Sequence, residues 1–307
     1  MVEIADEHGV VVGYIDEDGN EVFNEDNGEE LSDETIRSFT FFENGDIEYS
    51  PYKVTKVSDK LTPGYYNIVY DNYNHKWEIS RVTIKKTPKP FNFQNKDILD
   101  KYINSLVDKD IQNTLKNLKI LTKGGVLFYG QEGTGKSTIV QYYCEQLVKQ
   151  SNAMVFYLDE DSFVTNWKFL TKLKRIHKDT LFVIVIEEID DLLNTTSTIE
   201  DKLKSILDGN LSLNNTLFFA TTNYIHKIPE ALKNRPSRFK YTFEIDALED
   251  KDSIRSIVNN IIKDFECDKE EIVNHCVGKT LDYIQNYCLD IILNLSHHSF
   301  NQNKISL

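Results

Sequence analysis

Apolar and polar positions alternate along the first part of the chain and then change period. Residues 10–23, VVVGYIDEDGNEVF, are two apolar stretches on either side of Asp18-Gly19. That pair accepts positive φ and favours a two-residue hairpin turn. Residues 39–49, FTFFENGDIEY, repeat the pattern around Asn44-Gly45, and residues 64–84 alternate on both sides of DNYNH. Together they predict a mainly-β N-terminal domain over 1–84. Asp16-x-Asp18-x-Asn20 opens like a calcium loop, but its glycine stands fourth instead of sixth, so the hairpin is the better account. Residues 85–93, KKTPKPFNF, carry two prolines and three lysines and read as a stiff linker.

Beyond the linker, Ile98, Tyr102, Leu106, Ile111, Leu115 and Leu118 recur at helical spacing. Short apolar runs then alternate with helical stretches: GVLFYG, AMVFYLD, LFVIVIEE and TLFFATTN. Strands separated by helices predict parallel βαβ units, hence an α/β domain built on a parallel sheet over 94–246. The remainder, 247–307, is predicted helical. Ile254, Ile257, Val258, Ile261, Ile262 and Phe265 share one face, and Thr280 is placed to cap the helix that follows.

The chain of 307 residues is 40 % hydrophobic and 27 % charged, ordinary values for a globular protein. No apolar run approaches the roughly eighteen residues of a membrane-spanning helix, and MVEIADEHGV lacks the basic-then-apolar pattern of a leader. No membrane partner and a cytoplasmic location are expected. The four cysteines form no C-x-x-C pair and are expected as reduced thiols. Charge is uneven. Of the net −14, residues 1–50, with sixteen acids and one arginine, carry −15. Such a segment repels nucleic acid and anionic lipid.

GQEGTGKST (130–138) fits G-x-x-x-x-G-K-[ST], and it stands between an apolar strand and a helical stretch, the context a phosphate-binding P-loop requires. Gly130, Gly133 and Gly135 would let the backbone amides wrap a phosphate, with Gln131, Glu132, Thr134 and Thr138 completing the cradle. Lys136 would reach the β- and γ-phosphates, and Ser137 would offer a hydroxyl to Mg²⁺. The expected ligands are a nucleoside triphosphate and Mg²⁺, since a P-loop alone does not separate kinases, GTPases and motors; the nucleotide is ATP on the family resemblance below. A second landmark is VIVIEEIDDLL (183–193), an apolar strand running into Glu187-Glu188 and then Ile189-Asp190. A third is LFFATTN, ending on Asn223, and a fourth is IPEALKNRPSRFK, with Arg235 and Arg238.

In this order and spacing the four motifs resemble the AAA branch of the AAA+ ATPases, over roughly residues 94–295. The resemblance implies ATP hydrolysis, a helical lid over 247–307 and a homo-oligomeric ring, a hexamer or heptamer. It also implies roles. Glu187 would serve the Mg²⁺ shell through Ser137, standing where most of the family has Asp. Glu188 would polarise the attacking water, Asn223 would act as sensor, and Arg235 and Arg238 would be arginine fingers entering a neighbour's site. Ser237 replaces the family's glycine, which would strain a turn needing φ > 0. Adjacent strand residues point to opposite sides, which on this reading separates the jobs of the two glutamates.

The segment before the sensor strand is similar to one subgroup, the mitochondrial inner-membrane AAA protein that translocates the folded Rieske iron–sulfur subunit and its bacterial and phage relatives. Like that subgroup, the chain lacks an aromatic–apolar–glycine pore loop. Phe163 and Trp167, at i, i+4, are expected in the core. The function expected is an ATP-driven ring that remodels or translocates a protein partner recruited by the N-terminal domain. A DNA-directed AAA+ protein, a nucleotide-gated scaffold with little turnover and a P-loop kinase are the alternatives. A nucleic-acid partner is disfavoured by the acidic N-terminus and the near-neutral remainder.

Overall fold

In the computed structural model the described residues are 61–71, 76–83, 91–118, 123–158, 163–195, 197–208, 213–233, 235, 237–263 and 265–302, with five short strands before residue 61. Two compact units divide between Leu61 and Thr62. In the first unit, β1 (Val2–Ala5), β2 (Val11–Ile15) and β3 (Glu21–Phe23) form an antiparallel sheet in that order. β4 (Ser38–Phe41) pairs antiparallel with β5 (Ile47–Ser50). The β2–β3 and β4–β5 pairs are the first two hairpins expected from the sequence. Their turn residues, and residues 84–90 of the expected linker, lie outside the described residues.

The second unit contains β6 (Gly64–Asp71), β7 (Lys76–Val82), α1 (Lys96–Val107), α2 (Lys109–Asn117), β8 (Lys123–Tyr129), α3 (Lys136–Ser151), β9 (Met154–Tyr157) and α4 (Phe163–Ile176). There follow β10 (Phe182–Ile186), α5 (Ile189–Thr195), α6 (Ser197–Leu207), β11 (Thr216–Thr222), β12 (Phe239–Glu244), α7 (Lys251–Ile261), α8 (Lys269–Cys276) and α9 (Leu281–Gln302). One seven-stranded sheet runs β12-β8-β11-β10-β9-β6-β7. It is parallel from β12 to β6, and β7 closes the edge antiparallel to β6.

The central strands are buried on both faces, so they read as continuous apolar runs instead of alternations; FVIVI of β10 and TLFFATT of β11 are buried at every position. Val126, Phe128, Val183, Val185 and Phe219 face α3, where Ile139, Val140, Tyr143 and Leu147 pack with Leu99 and Ile103 of α1. Residues of opposite parity face α4, where Trp167 lies 5.8 Å from Phe218 between ring centroids. Phe163 and Trp167 are 0 % and 2 % exposed, as their spacing predicts.

Three sequence expectations need correction. The β6–β7 hairpin was assigned to the N-terminal domain, with a boundary at 84. It is instead the outer edge of the large sheet, with Tyr66 and Ile68 at 4 % and 1 % exposure and the Asn166 amide of α4 donating to the Ile68 carbonyl at 3.0 Å. The end of the linker is core as well: Phe91 is buried, and Phe93 sits edge-on to Phe128 and Phe243. In α1 the buried face is Leu99, Ile103 and Leu106, while Ile98, Ile111 and Leu118 are exposed, so the apolar stripe is offset by one residue from the series the spacing suggested.

These contacts set where the chain can be cut. A fragment of residues 62–307 should melt cooperatively near the temperature of the full chain. A fragment of residues 85–307 loses two strands and bares the β9 edge, a template for pairing between copies. It should be insoluble or melt at least about 10 °C lower, several kcal/mol in stability for a unit of this size. Circular-dichroism melts of both fragments check this, and equal melting would restore the boundary at 84.

Candidate functional site

β8 delivers the P-loop. Its Lys123–Tyr129 run is buried between β11 and β12, and the chain turns at Gly130. α3 starts at Lys136 after Gly135, whose φ is 97°. A Cβ on Gly135 would stand 2.8 Å from both Leu281 and Phe91, so only glycine lets the lid and the Phe91 segment close on the loop. The lid is pinned there: the Asp282 amide at the start of α9 donates to the Gly133 carbonyl at 2.9 Å. Thr280 caps the same helix, accepting from the Tyr283 amide at 3.3 Å.

A cavity of about 260 Å³ lies over the loop. Glu132, Gly133, Gly135, Lys136, Ser137, Thr138, Glu187, Glu188 and Asn223 all line it, together with Thr221, Thr222, Leu281, Asp282 and Gln285. The structure thus brings together most of the residues picked out by sequence. Gly130, Gln131 and Thr134 are not among its lining residues. Lys136 Nζ donates to the Gly130 and Gln131 carbonyls at 2.9 and 2.7 Å, and the Thr134 hydroxyl donates to Gln131 at 2.8 Å. Burial lowers the Lys136 pKa, opposed by Glu132 and Glu188. Ser137 and Glu187 offer hydroxyl and carboxylate oxygens, the hard donors Mg²⁺ takes alongside phosphate oxygens and water.

The two glutamates are not on a strand. β10 ends at Ile186, both side chains reach the same cavity, and Glu188 sits in the left-handed region at φ 49°. The strand alternation invoked to separate them therefore does not apply; the turn separates them. The Glu188 amide donates to Thr221 Oγ1 at 3.2 Å and its carbonyl accepts from the Asp191 amide at 2.8 Å. Partial burial raises the Glu188 pKa above the ordinary glutamate value, and the neighbouring Asp191, Asp190 and Glu187 add to the rise. A carboxyl held nearer to neutrality is a better proton acceptor at working pH.

The two arginines part company. Arg235 is exposed. Arg238 is 7 % exposed and grips Asp208, Nε to Oδ2 at 2.8 Å and Nη2 to Oδ1 at 3.3 Å. Burial alone would raise the Asp208 pKa, but Arg238 and Ser237 hold it low. Ser237 is not a positive-φ residue. Instead of straining a turn, its hydroxyl donates to Asp208 at 3.0 Å. In this conformation Arg238 fastens its own chain, and Arg235 is the arginine presented outward.

Sequence reasoning missed two parts of the site. One is a cavity of about 440 Å³ that shares Thr138, Leu281 and Gln285 with the first and continues between Phe91, Asn92 and α7. Phe91, Ile257 and Ile261 give it apolar walls, and Asn92, Ser256 and Asn260 give it polar atoms. The pair of cavities suits an elongated molecule with a polyanionic end at the P-loop and a flat, weakly polar end beside α7. The other part is the buried trio Asp190, Thr221 and Thr222; they stand inside the motifs EEID and ATTN, but no role for them was legible there.

The sequence profile of the family described as "ATPase family associated with various cellular activities (AAA)" matches residues 126–247. The chain is 30 % identical over 176 residues to "ATPase family gene 2 protein" of Schizosaccharomyces pombe, covering 52 % of this chain and 21 % of that protein. It is 25 % identical over 198 residues to "ATPase family AAA domain-containing protein 2" of Mus musculus, 58 % of this chain and 19 % of that protein. It is 30 % identical over 123 residues to "Replication factor C subunit 3" of Saccharomyces cerevisiae, 38 % and 35 % of the two chains. The chain thus spans about a fifth of the length of the first two curated relatives and about a third of the last.

The two carboxylates should separate in titrations of ATP with and without Mg²⁺ combined with phosphate release. Glu188→Gln should bind Mg-ATP normally and release phosphate about 10²–10⁴-fold more slowly. Glu187→Gln should lose Mg²⁺-dependent affinity as well as rate, and Glu187→Asp should be mild. The wild-type rate should fall on acidification through a pKa above 4.5, the ordinary value for Glu188, because protonation removes the base. A stalled Glu187→Gln beside a fully active Glu188→Gln would reverse the two roles.

A P-loop beneath α9, a carboxylate pair beside Ser137 and an asparagine just after the adjacent strand, in a chain whose residues 126–247 match the AAA profile, are the parts of an ATP-hydrolysing domain.

Proposed function

We propose that this chain hydrolyses ATP as a homo-oligomeric ring and uses the cycle to remodel or translocate a protein partner recruited through its N-terminal unit. The observation that carries the ring is the position of Arg235. It is exposed, and it is not among the residues lining its own chain's cavity, so a role at a γ-phosphate requires a neighbouring subunit. The similarity to the subgroup that moves a folded client supports a folded protein as cargo. Burial of Phe163 and Trp167 supports it too, since neither aromatic is available to grip an unfolded strand.

Subunit mixing tests the ring. Arg235→Ala should bind ATP and turn over slowly; arginine fingers supply about 10³–10⁵ in rate in P-loop enzymes. Mixed with Lys136→Ala, it should regain activity, because each site takes parts from two chains. Arg238→Ala should differ in kind: it takes the guanidinium from the partly buried Asp208 and leaves that carboxylate the Ser237 hydroxyl, costing up to about 3 kcal/mol of stability. An Arg235→Ala chain that hydrolyses at the wild-type rate, or mixed rings that form and recover nothing, would refute the trans role.

One observation favours a DNA-directed second reading. From Phe163 to Lys178 there is no acidic residue, and Lys168, Lys172, Arg175 and Lys178 are exposed at spacings of four, three and three. Lys172 also lies 5.2 Å from the ring of Trp77. Cations beside an aromatic ring suit a nucleic-acid backbone, and one relative is named as a replication factor. Anisotropy with labelled single-stranded DNA separates the two readings. If DNA is the partner, affinity should fall by about 10²-fold between 50 and 200 mM salt and vanish in Lys172→Glu/Arg175→Glu. No binding at 50 mM salt would leave the protein-remodelling reading alone.

A further inference from the structure

We propose that Thr221 and Thr222 are positioning residues for ATP hydrolysis, holding the water-polarising turn and the sensor asparagine as one unit through Asp190; the proposal rests on the ATPase reading of this site. The constraint begins at Glu188. A non-glycine residue at φ 49° is held in a sparsely populated conformation and persists only where its surroundings fix it. The surroundings here are the end of β11. Thr221 Oγ1 accepts the Glu188 amide at 3.2 Å. Thr222 Oγ1 donates to Asp190 Oδ1 at 2.6 Å and accepts the Tyr224 amide at 3.0 Å. The backbone on both sides of Asn223 is thereby fixed to the carboxylate two residues beyond Glu188.

Asp190 has a second tie. Its Oδ2 lies 3.3 Å from Lys227 Nζ, and Lys227 stands 3.9 Å from the ring of Tyr224. Thr221, Thr222 and Asp190 are 3 %, 0 % and 3 % exposed, so the partners of these hydroxyls lie in a largely buried setting. A buried amide or carboxylate deprived of its partner moves or is left unsatisfied. Both glutamate and asparagine line the cavity, and misplacement by about 1 Å is enough to cost about 10²-fold in rate. Valine has the shape of threonine without the hydroxyl, and serine has the hydroxyl without the methyl.

The experiment compares full-length wild type, Thr221→Val, Thr222→Val and Thr222→Ser by Mg-ATP titration, steady-state phosphate release and thermal melting. Both valine variants should bind Mg-ATP within about threefold of wild type and lose about 10–10²-fold in kcat. Thr222→Ser should recover at least about a third of wild-type kcat. Valine variants at the wild-type rate overturn the proposal. So does a loss of affinity that matches the loss of rate, or a well-folded serine variant as slow as valine. If Thr222→Val melts too low to assay, Thr221→Val, which loses a single bond to a backbone amide, decides the outcome by the same criteria. A wild-type chain that binds ATP and releases no phosphate refutes the ATPase reading itself, and the positioning role falls with it.

Discussion

The register of β10 against β11 is the constraint on which the site depends. The strands run parallel with Ile186 beside Ala220, so β10 ends two residues short of Thr222. That offset lets the turn carrying Glu187 and Glu188 bend over the last two residues of β11. β11 is in turn fixed against β8, with Thr222 level with Tyr129, the residue before the P-loop. Phosphate loop, carboxylate turn and sensor strand therefore meet at one sheet edge because three parallel strands end nearly level. A slip by one residue would exchange the two faces of a strand. With all five residues of β10 and all seven of β11 buried, no such slip is tolerated.

Much of this was legible in the sequence because the signals are local. G-x-x-x-x-G-K-S between a strand and a helix needs nothing distant to be read, and the βαβ rhythm predicts the parallel sheet without the register. The failures all involve a partner far along the chain. The β6–β7 alternation is the same whether the hairpin stands alone or joins a larger sheet; the deciding contact, Asn166 to Ile68, spans 98 residues. Arg238 and Asp208 are 30 apart in sequence, so nothing local distinguishes a fastened arginine from an exposed one. Glu187 and Glu188 extend an apolar run and read as strand, yet the turn wins once Thr221 captures the Glu188 amide.

The lid converts this edge into an enclosed site. α9 is tied to the P-loop by the Asp282 amide and presses Leu281 to within reach of Gly135. α7 is tied to the segment before α1 by the Asn92 amide, which donates to Ser253 Oγ at 2.9 Å. The first cavity is thus bounded by the P-loop and the sheet edge on one side and α9 on the other, the second by the Phe91 segment and α7, and they share Thr138, Leu281 and Gln285. A ligand spanning them contacts both parts of the unit. A ligand that binds differently to two positions of these helices would shift the balance between them, the coupling that the proposed remodelling role requires.

Charge sets what this site needs in order to hold a triphosphate. Lys136 is the one cation lining the first cavity among the described residues, against Glu132, Glu187, Glu188 and Asp282. Carboxylates around a triphosphate repel it, and repulsion in a partly enclosed site is stronger than in water. The P-loop amides offset part of this, and a divalent cation beside Ser137 and Glu187 offsets more. In the transition state negative charge shifts further onto the phosphate oxygens, and among the described residues no second cation lines the cavity, Arg238 being committed to Asp208. On the proposed ring reading, the exposed Arg235 of another copy would supply that cation. On that reading, the same acidity would make the rate of each site depend on a neighbour.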